Sequence, residues 1–340
     1  MIIEGFAVET IDDLIFSVKG LLHPPGRVIA YLRYLPDPEG ERTRDGVRYR
    51  RVYQFDEQEA ILGAQYPVYL ADDPVFGLRM QSVPRHGIRT VHDPRVYLTS
   101  LDGCGPDDPL EEDALMLAAL LRETAGVSRR DLGISGSLMV GLQQPGSDLD
   151  LVIYGEEKGR KVYRALEEAV RQAYGPLRRP TRQELALLHA EHRPDTPLPF
   201  EEFARLQARK VNEVRFRGRE TFIRFVKLVE EIDEGYGDQR YEQLGTRAVR
   251  ARVVDDCDAI FTPCRYGIEK VAFLDDGPAP EPREIVSYRG RFSDQVRLGE
   301  WAVARGQLER VVGLEGTLCH RLVVGGEAGD YLLAQERSEA

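Results

Sequence analysis

"GSLMVGLQQPGSDLDLVIYG", residues 136 to 155, is the stretch on which the reading of this chain turns. Asp148 and Asp150 stand one residue apart at the head of an apolar run, Leu149, Leu151, Val152 and Ile153, with a Gly136–Ser137 step one loop upstream. Side chains alternate between the faces of a strand, so both acids share a face while Leu149 and Leu151 turn to the core. Like charges that close repel, and apolar neighbours relieve neither. A hard divalent cation resolves the conflict by taking an oxygen from each carboxylate. Magnesium suits the task, because it keeps several waters and shares its site with substrate phosphates. Gly136 and Ser137 add what a triphosphate needs: backbone without a Cβ, amides to donate and a hydroxyl.

The flanks extend this unit. Upstream, "DPLEEDALMLAALLRETAGV" is a helix opened by Asp108 as N-cap and Pro109, with Leu110, Ala114, Leu117 and Leu121 at helical spacing and Gly126 as terminator. A short strand at Leu132–Ile134 leads into the quoted motif. Downstream, "KGRKVYRALEEAVRQAY", "TRQELALLHAEH" and "PFEEFARLQARKV" are helices, and "EVRFRGRETFIRFVKLV" is a β-hairpin turning at Arg217–Gly218–Arg219.

Ile134-Ser135-Gly136-Ser137, ten residues, then Asp148-Leu149-Asp150-Leu151 resembles the signature of the DNA polymerase beta-like nucleotidyltransferase superfamily. Gly141 and Ser147 fall where its small members carry a glycine and a Ser-Asp pair. The resemblance covers residues 109 to 229, and the whole chain is similar to archaeal nucleotidyltransferase-like proteins with β-rich flanks. It implies an α+β fold, with a polymerase-beta-like core of mixed sheet and helices between β-rich domains. It further implies transfer of a nucleoside monophosphate from an NTP to an RNA, small-molecule or protein acceptor, with pyrophosphate leaving. Asp148 and Asp150 would be catalytic and bind Mg2+ or Mn2+; Gly136, Ser137 and Ser147 would hold the nucleotide. A third carboxylate completes the site in active members. Here the matching strand position is Phe222, and Glu220, two residues earlier on the same face, is the substitute; paired with a neighbouring arginine it would be only a hairpin residue. Asp255, Asp256 and Asp258 are its rivals, and Arg219 or Arg224 would offset charge on the leaving group. The alternative is a relative that binds nucleotide or RNA without transfer.

The N-terminal hundred residues alternate apolar runs with turns such as "HPPG" and "PDPEG", "RYRRVYQF" offers a further alternating strand, and the whole reads as a β-rich or α+β domain, residues 1–103. His23, beside the prolines, is read as a loop histidine. The central domain is placed at 104–232. Short β runs after 245, among them 259–261, 301–304 and 308–311, point to a small barrel or sandwich over 245–334, with a frayed tail at "AQERSEA". His189 and His192 share a helix face, a spacing commoner in exposed helices than in metal sites. Cys104, Cys257, Cys264 and Cys319 lack zinc spacing and read as free thiols.

Of the 340 residues 42% are hydrophobic and 30% charged, as in a soluble folded protein. No apolar run reaches membrane length and the N-terminus has no basic leader, so a cytoplasmic protein without membrane partners is expected. The net charge of −11 argues against wholesale coating of nucleic acid. Residues 160–227 nonetheless hold 16 Lys or Arg against 9 Asp or Glu, which suits a small polyanion or a salt-bridged helical surface alike.

Overall fold

A computed structural model describes residues 1–172, 175–192 and 198–335. The α+β class holds: the described residues form three sheets and seven α-helices. They group into two compact units. The first comprises residues 1–73, 79–178 and 214–233, and the second residues 74–78, 179–213 and 234–340.

The first unit begins with an eight-stranded sheet. Its strands are β1 (Ala7–Thr10), β2 (Ile15–Val18), β3 (Arg27–Pro36), β4 (Arg42–Arg44), β5 (Val47–Arg51), β6 (Leu70–Asp73), β7 (Leu78–Pro84) and β8 (Ile88–His92). They run in the order β4-β5-β3-β2-β1-β8, with β7 also on β3 and β6 on β7. Two helices go beyond the expected strands, α1 (Phe55–Gln65) and α2 (Pro94–Cys104); Asp93 caps the latter by accepting the Arg95 N–H at 2.9 Å.

A second sheet of the same unit carries the motif. Helix α3 (Pro109–Ala125) forms as its sequence demands: Asp108 accepts the N–H groups of Leu110 and Glu111, Pro109 opens the first turn, and Gly126 ends the helix in the left-handed region. Its leucines 110, 117 and 121 are buried, each stabilising by roughly 2 kcal/mol. Strand β9 (Leu132–Ile134), the short helix α4 (Gly136–Met139), β10 (Leu149–Tyr154) and helix α5 (Glu156–Arg171) follow, then β11 (Leu177–Arg178), β12 (Glu213–Phe216) and β13 (Arg219–Val226). The order is β11-β12-β13-β10-β9, with β10 parallel to β13 and antiparallel to β9. The β12–β13 hairpin turns on Arg217 and Gly218, both at positive φ, the geometry that matches strand twist. Val152, Tyr154 and Val226 of this sheet share one core with Val8, Phe16, Val28 and Leu32 of the first. The two sheets of this unit therefore share one core on either side of residue 103.

The second unit holds α6 (Arg182–His192), α7 (Phe200–Gln207) and strands β14 (Arg240–Asp255), β15 (Cys264–Phe273), β16 (Glu284–Ser287), β17 (Trp301–Gly313), β18 (Gly316–Val323) and β19 (Tyr331–Gln335). Strand β14 pairs with β15 on one edge and β17 on the other, so β14-β15-β16-β18-β17 close into a ring. The β16–β18 pair is parallel and the other pairs of the ring are antiparallel, the wiring of an OB-type Greek-key barrel. Two runs expected as separate strands, 301–304 and 308–311, are one strand, while 259–261 is a turn with a single bridge residue. Residues 179–213, assigned from sequence to the central domain, belong here: Leu206 lies in the barrel core, and Asn212 bonds to Ser293. None of the four cysteines is in a disulfide. Among the described residues no helix is long and apolar enough to cross a membrane. Most of the tail read as frayed, residues 336–340, lies outside the described residues.

Candidate functional site

The quoted motif forms a strand, a one-turn helix, a loop and a strand. β9 delivers the chain to Gly136, and the Ser135 N–H donates to the Asp150 carbonyl at 2.8 Å, tying the Gly-Ser step to the acidic strand. Gly136 adopts φ +69°, and a Cβ there would stand 2.1 Å from Asp150 Oδ2. Glycine at this position is what lets the carboxylate lie against the turn. Ser137 is 6% exposed and its Oγ, buried, has no hydrogen-bond partner. Buried hydroxyls are nearly always satisfied, which sets this one apart from the serines around it.

Asp148 and Asp150 are partly buried and, among the described residues, neither has a lysine or arginine within ion-pair distance. Burial pushes the Asp150 carboxyl up to about 6, and repulsion from Asp148 adds to it; Arg224, Arg51 and Arg33 pull the other way. Two acids are thus held together without a contacting counter-ion, the arrangement a bound cation would stabilise.

The third carboxylate does not join them. In the parallel ladder Asp150 stands opposite Phe222, so the apolar side chain occupies the neighbouring strand position. Glu220 forms an ion pair with Arg215 at 3.6 Å. Among the described residues no three His, Cys, Asp or Glu side chains group as a metal site. Asp255, Asp256 and Asp258 sit in the second unit and hold a turn there: Asp255 accepts the Cys257 N–H, Asp256 that of Leu298, and Asp258 faces Arg265.

Other expected residues have structural duties. Ser147 Oγ accepts the Gln144 N–H at 2.9 Å and its own N–H returns to the Gln144 carbonyl, closing the turn before the acids. Arg219 reaches Asp113 of α3 at 2.6 Å and the Pro145 carbonyl at 2.9 Å, pinning that turn. Arg224 pairs with buried Glu4 at 2.8 Å. His189 bonds to the Leu198 carbonyl; the side chain of His192 lies outside the described residues.

The first sheet supplies residues that sequence reading missed. Arg42 donates to the Leu142 carbonyl, Arg44 to that of Val140 at 3.0 Å, and Gln144 to that of Glu41 at 2.9 Å, so β4 grips the loop between Gly-Ser and Asp-x-Asp. On adjacent strands, the guanidiniums of Arg33 and Arg51 lie 4.2 and 4.0 Å from the Tyr53 ring centroid. Only the alternation of "RYRRVYQF" marked this region, and it carried no sign of a site.

No protein-family model matches the chain, and neither does any solved structure. An uncharacterized protein of Methanocaldococcus jannaschii is 29% identical over 326 residues, 94% of each chain. The likeness therefore spans both units.

Proposed function

We propose that this protein is a magnesium- or manganese-dependent nucleotidyltransferase acting on a nucleoside triphosphate at Asp148, Asp150, Gly136 and Ser137. The observation that supports the reading is an acid pair without a contacting counter-ion, set against a glycine turn with an orphaned buried hydroxyl. Its resemblance to the polymerase-beta-like pattern gives that arrangement a chemistry.

Two carboxylates fit a magnesium ion, which fills its remaining positions with water and phosphate oxygens. When bound, the ion supplies charge neutralisation between the acids and the triphosphate. The rest falls to the chain. Asp148 and Asp150 would hold the cation; Gly136 keeps Asp150 against the turn; Ser137 Oγ would donate to a phosphate oxygen. Together they fix the α-phosphorus for in-line attack by the acceptor with pyrophosphate leaving.

A second reading, nucleotide or RNA binding without transfer, is favoured by Phe222 beside Asp150 and by the Glu220–Arg215 pair. One experiment separates them. The full chain is offered each of the four nucleoside triphosphates with Mg2+ or Mn2+, and pyrophosphate release and thermal shift are read together. Transfer predicts pyrophosphate release that Asp148→Asn with Asp150→Asn abolishes while the fold survives. A melting-temperature rise without pyrophosphate, whatever the acceptor, favours the binder. No nucleotide-dependent shift at all would sink both.

A further inference from the structure

We propose that Arg33 and Arg51, stacked on Tyr53, form a polyphosphate clamp beside the acid pair, built by the N-terminal sheet to hold the phosphate tail of the nucleotide. The inference deepens the proposed function and rests on it for the identity of the ligand.

The geometry is unusual for a structural cluster. Both guanidinium carbons lie within 4.2 Å of one ring centroid, so they stand within about 8 Å of each other. Like charges at that range repel. Several arginines of this unit are neutralised, Arg44 by Glu9 at 2.6 Å, Arg224 by Glu4 and Arg219 by Asp113, and Arg27 is held instead by the Val68 and Ser82 carbonyls. Among the described residues the guanidiniums of Arg33 and Arg51 form no ion pair with a carboxylate, although the Arg51 backbone N–H donates to Glu41 Oε1 at 3.3 Å, and Arg51 Nε is buried without a hydrogen-bond partner. Tyr53 is 45% exposed, and Arg33 and Arg51 are partly buried beside it.

The strands explain the placement. Arg51 pairs with Tyr34 across β5 and β3, and the Val52 N–H donates to the Arg33 carbonyl at 2.9 Å, which puts Arg33, Arg51 and Tyr53 at one end of the pairing. Tyr34 and Tyr49 of the same strands pack on Met139, Val140 and Leu142, the residues that follow Gly136–Ser137. That packing ties β3 and β5 to the loop that leads into the acids, and Arg33 and Arg51 are among the charges that act on Asp150, as Asp148 is among those that act on Tyr53. A planar guanidinium pair over an aromatic ring suits forked hydrogen bonding to phosphate oxygens. The ring is already covered by both cations, which favours an anion over a stacked base. A bound polyphosphate would balance the two positive charges as a cation balances the two acids.

The test uses inorganic tripolyphosphate with the full chain in EDTA, so that neither metal nor transfer is needed. Wild-type protein should bind it, Arg33→Gln and Arg51→Gln should each weaken binding about tenfold or more, and Asp148→Asn with Asp150→Asn should bind as well or better. In ligand-free protein the arginine variants should keep or raise the melting temperature. Tripolyphosphate that fails to bind, or binds equally to the arginine variants, overturns the clamp. So does a melting-temperature loss in the arginine variants matched by the same loss in the Asn pair, since the arginines would then be mere counter-charges. Arginine-dependent binding of a single-stranded oligoribonucleotide with arginine-independent tripolyphosphate binding also overturns it. If tripolyphosphate behaves as expected while no nucleotide yields pyrophosphate, the clamp stands and the transfer reading falls.

Discussion

At the scale of the residue, Ser137 separates structure from function. A buried hydroxyl without a partner costs roughly 1–3 kcal/mol, so removing it should not weaken the ligand-free protein. Ser137→Ala is expected to raise the melting temperature by about 2–4 °C without nucleotide. It should also weaken Mg-nucleotide binding about tenfold, the loss of about 1.4 kcal/mol. Thermal unfolding with and without nucleotide checks both signs. A lower melting temperature in the ligand-free variant would show that the hydroxyl serves the fold. Gly136 behaves oppositely, because a Cβ there meets both a positive φ and Asp150 Oδ2. The motif's acids, glycine and serine were visible in the sequence because they are neighbours in it. Arg33, Arg51 and Tyr53 were not, since no local pattern says that two strands will set three such side chains together.

At the scale of the element, the N-terminal segment is tied to β3 through His23. Its Nε2 lies 3.0 Å from the Ile2 carbonyl and its Nδ1 accepts the Ile29 N–H at 3.2 Å, an arrangement that only the neutral ring satisfies. Burial lowers its pKa from the ordinary value of 6.5 to about 4, against the Ile2 bond and Glu4, which raise it, and with Arg85, which lowers it further. Between these values the unfolded chain takes up a proton that the folded chain refuses. Stability contributed by His23 is therefore complete above pH 6.5 and falls as the pH drops towards 4, by up to about 3 kcal/mol. Denaturant unfolding at pH 7, 5.5 and 4.5 should show this slope in the wild type and lose that portion of it in His23→Gln; parallel slopes would refute the role. Sequence signals captured elements whose pattern is complete. Helix α3 shows cap, periodicity and stop, and the β12–β13 hairpin shows two runs and a turn. Helix α1 escaped because it buries only Gln58 and Leu62, and no apolar face announces it. Strand β17 escaped as one element because Arg305, Gly306 and Gln307 read as a break, whereas the barrel needs a long strand to pair with β14.

At the scale of the whole molecule, the chain does not fold in the order it is written. Residues 179–213 leave the first unit for the second and 214–233 return, and residues 74–78 make the same excursion from the first sheet. The short excursion is held by backbone and rings: Tyr241 donates to the Val75 carbonyl at 2.7 Å, and Phe76 stacks on Tyr241 at 5.4 Å. The long one rests on α7 and the turn after it. Arg205 donates to the Ala334 carbonyl at 2.6 Å, Arg209 grips both oxygens of Glu300 at 2.8 and 2.9 Å, and buried Lys210 reaches Glu213 and the Arg291 carbonyl. A cut at the obvious joint after Asp233 would remove Ala334, Glu300 and Arg291 and leave those three side chains without their barrel partners. Removing one side of such charge-assisted bonds is costly, and the helix they anchor would open to solvent. Trypsin should therefore cleave the 1–233 chain at Arg205, Arg209 and Lys210 while sparing those bonds in the intact protein. Equal resistance in both would mean that α7 does not depend on Ala334, Glu300 and Arg291 for its protection.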